Sequence, residues 1–168
     1  MRFYSFINGL YMNSLQYGLQ TGHAISEMSL HQPHAYTEWA KNHKTIIILD
    51  ALNHAGLQRA HGALAILCGA YNAMVKPEEG IPYVKFHEDE QSLGGIMTCV
   101  GVILPEHIYA REEPKRVPAI DFIPTYSPRE RLAAWEEGIE KNHAMSWNKE
   151  RLEDLLYCLV KTHNLAPR

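Results

Sequence analysis

Three things are scarce in this chain of 168 residues. Cysteine occurs three times, at Cys68, Cys99 and Cys158, an odd number with no C-x-x-C pair. Each lies among apolar neighbours, which predicts buried thiols in a reducing compartment and excludes a disulfide framework. Long apolar runs are missing, since no stretch approaches the roughly 18 residues that a membrane crossing needs. The opening Met1–Gly9 is too polar for a signal peptide, so a cytoplasmic location and no membrane partner are expected. Basic excess is missing as well: 16 Lys and Arg face 19 Asp and Glu, a formal net charge of −3. That argues against a broad nucleic-acid-binding surface and leaves room for a local one. Ten histidines bring the chain close to neutral near about pH 6.5.

What is present suffices for a core. The chain is 46% hydrophobic and 21% charged, with no internal repeat and no low-complexity run. At roughly 100–200 residues per domain this is one globular domain with an appendage.

Phe3 to Leu10 is aromatic-rich and alternates loosely, which predicts a first strand. Asn13-Ser14 offers an N-cap, and Thr21, Ala24, Ile25 and Met28 give one apolar stripe to a helix over about 15–30. Gln32-Pro33 breaks it, and a short helix carrying Trp39 follows. Thr45–Leu49 is a continuous β-branched or apolar run, expected as an inner strand with both faces buried. A helix over about 53–74 carries a stripe from Leu57 to Met74. Tyr83–His87 and Ile96–Leu104 read as strands joined by a short polar loop, hence an antiparallel hairpin. The expected class is α/β: a four-stranded mixed sheet with helices on both faces, plus a C-terminal helical extension. Residues 1–105 make the α/β domain. Residues 106–168 make a proline-containing connection and two helices packed on it, from about Ser127 and Trp147.

Several groupings carry chemistry. The segment Leu10–Ala24 joins the first strand to the first helix, where free N–H groups and a positive dipole end favour anions or a developing oxyanion. Asn13, Ser14 and Gln16 add donors there, and Gln20 and His23 lie one turn apart. The run His87-Glu88-Asp89-Glu90 offers a general base or a hard-cation site, or simply a solvated turn. His54 and His61 stand two turns apart on one helix. No histidine spacing supplies three ligands of a closed zinc site, so no metal and no cofactor are expected. Lys41, His43, Lys44 and Arg59 form a modest basic grouping.

The Leu10–Ala24 segment resembles the type-II peptidyl-tRNA hydrolases, which carry L-K-M-S-x-G-K-x-A-A-Q-x-x-H-A after their first strand. Leu10, Met12, Gln20, His23 and Ala24 fall on matching letters, and Asn13 takes the serine's place. The later order of strands and helices also fits, and Thr98 matches a threonine or serine of the family. The family's two lysines fall on Tyr11 and Gln16, its glycine on Leu15, and its D-A-G-R-T loop on His87–Gln91. The resemblance covers about residues 1–105.

It implies a divergent hydrolase of the ester between peptide and tRNA, or of a related ester. His23, Asn13, Gln20, Thr98 and Glu88 are then the catalytic candidates. His23 or a carboxylate of the Glu88-Asp89 pair would activate water, and Asn13, Gln20 and Thr98 would position the ester or stabilise charge. tRNA or a nucleotide-like ligand is the implied partner, with a second copy of the chain as a candidate for the C-terminal helices. The alternative is a non-catalytic binding protein on the same fold, with a nucleotide, RNA end or protein as ligand. A viral accessory protein would take this form.

Overall fold

The computed structural model describes residues 1–10, 13–112 and 148–165. Strand β1 (Arg2–Ile7) leads into helices α1 (Ser14–His31) and α2 (Pro33–Asn42), then strand β2 (Ile46–Asp50) and helix α3 (His54–Asn72). A 3-10 turn at Pro77–Glu79 precedes β3 (Tyr83–His87), the one-turn helix α4 (Glu90–Leu93) and β4 (Met97–Leu104). Helix α5 (Glu106–Tyr109), helix α6 (Lys149–Thr162) and the two-residue strand β5 (Asn164–Leu165) complete the described elements.

The sheet order is β3-β4-β1-β2-β5. β1 and β2 are parallel and the other pairings antiparallel; the β3–β4 pair is the hairpin that the short loop predicts. The four long strands form the mixed sheet, and β5 adds a short fifth.

Strand alternation sorts the side chains onto two faces. Phe3, Ile7 and Ile103 pack with Met28 and Trp39 under α1 and α2. Tyr4, Phe6 and Val102 pack with Leu64 of α3 and Leu156 of α6 on the other face. Gly101 permits the close approach of α1. A Cβ there would stand 2.6 Å from the Phe3 ring and 3.3 Å from the Ala24 Cβ. Asn13 and Asn53 begin the two long helices, their side chains accepting from the N–H of Gln16 and Gly56 at 2.9 Å each. Trp39 fixes the end of α2 by donating its indole N–H to the Thr45 carbonyl at 3.2 Å.

Helix α6 belongs to the core. Leu152, Leu155, Leu156 and Leu159 are buried against the α3 side of the sheet. Arg111 ties the chain beyond α5 to it, pairing with Glu153 at 2.7 Å and Asp154 at 3.0 Å. Cys68, Cys99 and Cys158 are buried, and none forms a disulfide among the described residues. No helix among the described residues is long and apolar enough to cross a membrane.

Three expectations change. Among the described residues β5 flanks β2 only at Leu49 and Asp50, and Ile46 is 41% exposed, so the inner-strand expectation is met over the end of the strand alone. Apolar residue types report the burial of a strand's faces and say little about whether both its edges are paired. Met74 lies beyond the end of α3 and is exposed. The loop between β3 and β4 contains a helical turn. The helix expected from Ser127, with most of the proline-containing connection, lies outside the described residues.

Candidate functional site

The end of the sheet beside α1 brings together side chains far apart in sequence. Phe86 pairs with Cys99 and His87 with Met97, so Thr98 is the extra residue of a β-bulge. The bulge lets Thr98 and Cys99 both face α1. The Thr98 hydroxyl donates to Oε1 of Gln20 at 2.7 Å, and Nε2 of Gln20 donates to the Glu88 carboxylate at 2.7 Å. Gln20 and Thr98 are 3% and 1% exposed, and Glu88 is half-buried at the end of β3. A buried amide that both accepts and donates orients two partners at once, and here it aims a carboxylate.

His23 lies one turn further along α1. Its ring stacks on Phe86 with centroids 4.3 Å apart and planes 7° from parallel. The ring is half-buried, and no hydrogen bond holds it among the described residues. Tyr71 lies in the core of the opposite face, so His23 is not packed against it.

A second polar seam runs beneath the same helix. Thr21 donates to the Ser5 hydroxyl at 3.0 Å, and Ser5 lies 3.2 Å from the Cys99 sulfur. Burial pushes the Cys99 thiol up to about 12, against a smaller opposing effect from Ser5. Burial likewise pushes Cys68 up to about 12. Neither is a thiolate nucleophile near neutrality. Tyr17, near the start of α1, is also raised to about 12, by burial first and then by the Asp50 carboxylate. It stays a neutral phenol.

Of the five residues singled out by sequence, Gln20, Glu88 and Thr98 form one hydrogen-bonded chain. His23 stands beside it on the same helix, its ring against Phe86 of β3. Asn13 does not join them. It caps α1 seven residues before Gln20, roughly 10 Å along the helix axis, and its oxygen is engaged by Gln16. Phe86 was missed by residue type, because a lone aromatic on a short strand reads as core. Its signal was alternation, which puts it on the face opposite Lys85 and His87. Among the described residues no group of three His, Cys, Asp or Glu side chains could hold a metal ion.

In sequence comparison no family model matches the chain, and no curated protein matches it.

Proposed function

We propose that this cluster is the centre of a divergent esterase of the peptidyl-tRNA hydrolase type. The observation that carries the reading is the chain Thr98–Gln20–Glu88, buried at one end and half-open at the other, with the His23 imidazole on the adjoining turn. Glu88, aimed by Gln20, takes a proton from a water as its oxygen attacks the ester carbonyl. The bond from the carbonyl carbon to the ribose oxygen breaks, and that oxygen leaves with a proton. His23, on the adjoining turn, supplies it; afterwards Glu88 gives its proton to solvent and His23 takes one back. Thr98 and Gln20 act as positioning residues, since both are buried and bonded to each other. The products are a peptide carboxylate and a free ribose hydroxyl. The resemblance at Leu10–Ala24 supports this substrate class.

The same burial favours a second reading, a binding protein without catalysis, because Gln20 and Thr98 direct their groups at each other. The acidic run Glu88–Glu90 and the family lysines replaced at Tyr11 and Gln16 point the same way, since both weaken a hold on phosphate. Incubation with a peptidyl-tRNA beside the His23→Ala variant separates the two. Release of free tRNA by wild type, lost in the variant, supports the esterase. No release by wild type, with retained binding of tRNA, supports the binding protein.

A further inference from the structure

The opposite face of β3 holds a cleft that the proposed site does not use. It is an open groove of about 560 Å³, a volume of the order of a small-molecule site. His54, Gln58 and His61 of α3 form one wall, and Lys85 and His87 of β3 the other. His54 and His61 stand two turns apart on α3, and the fold brings Lys85 and His87 of β3 opposite them. The turn from Leu93 to Ile96 closes the end, with Met97 behind it.

The polar side chains of this cleft are one lysine, three histidines and a glutamine, with no carboxylate among the lining residues. The Lys85 charge meets no carboxylate among the lining residues, and an anion seated beside it would answer that charge. At His61 burial first, then Lys85 and His87, push the pKa down. Nδ1 of His54 is buried and has no hydrogen-bond partner. The backbone of the closing turn is already committed, since the N–H groups of Gly94, Gly95 and Ile96 bond within the turn. It supplies shape, because Gly94 and Gly95 adopt φ of 63° and 67° and present no side chain to the opening. Leu93, 52% exposed, and Ile96 offer an apolar wall for an organic group. A metal ion fits less well, as no three ligating side chains are arranged to hold one among the described residues.

We infer that this cleft binds the phosphate group of a free phosphate ester of nucleotide size. Lys85 holds the charge, His54, Gln58, His61 and His87 add donors, and the Leu93–Ile96 wall packs on the organic part. This stands independently of the esterase reading, because it uses the other face of the sheet.

The titratable groups facing His61 are His54 on its own helix and Lys85, His87 and Tyr83 from β3, the Tyr83 ring lying 6.1 Å away. A bound anion raises the affinity of His61 for its proton, and by reciprocity protonation tightens binding. The test is NMR observation of the histidine rings in the full chain, titrated at about pH 6 and about pH 8 with inorganic phosphate, adenosine monophosphate, tRNA and zinc. The expected result is saturable movement of the His61 and His87 signals, tighter for adenosine monophosphate than for phosphate and tighter at the lower pH. Lys85→Gln, at an exposed position, weakens binding about tenfold, and Lys85→Arg restores it. No saturable movement up to about 10 mM overturns the inference. So does equal affinity in Lys85→Gln, a response to tRNA without one to adenosine monophosphate, or a response to zinc alone.

Discussion

The two faces of the sheet are built from different materials. Under α3 and α6 the core is apolar, from Tyr4 and Phe6 through Leu64 to Leu156. Under α1 it is crossed by hydroxyl, thiol and amide groups: Ser5, Thr21 and Cys99 in one seam, Gln20 and Thr98 in another. Apolar contact is non-directional and rewards volume alone, whereas a buried polar chain is stable only when each member keeps its partner. The first face therefore supplies stability and the second supplies position. The price of position is a core that tolerates fewer changes of chemistry.

The largest expected effect sharpens this contrast. Leu156→Ala opens a cavity beneath α6 and lowers unfolding free energy by about 2–5 kcal/mol, read from urea denaturation. Peptidyl-tRNA cleavage, measured where the variant is still folded, stays unchanged. On the other face Gln20→Leu strands the Thr98 hydroxyl and removes the amide that donates to Glu88. It costs about 1–3 kcal/mol and removes cleavage as well. Replacing Thr21 and Ser5 together, as Thr21→Val with Ser5→Ala, removes both partners of one bond and costs less than either change that leaves an orphan. If Leu156→Ala abolishes cleavage while folded, or Gln20→Leu leaves it intact, the division between faces fails.

A smaller effect concerns charge. Tyr11→Lys with Gln16→Lys restores cations where the resembling family has them. The log of tRNA affinity against log salt should steepen by about 0.7 for each new phosphate contact. An unchanged slope would mean that tRNA does not approach this end of α1.

The smallest effect is a pH dependence on the apolar face. His163 meets the Phe6 ring edge-on at 4.8 Å, and its Nδ1 donates to the Leu159 carbonyl at 2.8 Å. Burial, the largest cause, lowers its pKa below the ordinary 6.5. The unfolded chain therefore takes the proton first. Stability is full above about pH 6.5, falls as pH drops through that value and levels off below the folded pKa. His163→Phe should flatten thermal stability between about pH 7 and about pH 5. A wild-type curve already flat across that window would contradict the burial argument.

Much of the fold could be read in advance because periodicity reports burial directly. The spacing of Leu57, Ala60, Leu64 and Leu67 marks the buried side of α3, and Asn13 and Asn53 mark the helix starts. Strand pairing was less legible. β5 contributes two described residues, too few for any periodicity, and the apolar run at Thr45–Leu49 suggests an inner strand although among the described residues only its Leu49 end is flanked by β5. Of the site, Gln20, His23, Glu88 and Thr98 were nameable by chemistry and resemblance. Their bonding depends on a bulge at Thr98 that no glycine or proline announces. Asn13 stands apart from them as the cap of α1, since a side chain suited to binding a ligand is equally suited to capping its own helix. The cleft between α3 and β3 was half legible, since one helix can show two histidines on a face but cannot show which strand lies across from them.

The central claim is that the α1 face carries chemistry through a carboxylate held by Gln20. The direct measurement is the rate of peptidyl-tRNA cleavage by Glu88→Gln, taken at a temperature where it is as folded as wild type. The change keeps the shape and removes the base. The account predicts a fall of about 10²–10⁴-fold with little loss of melting temperature; a rate within about twofold of wild type would contradict it.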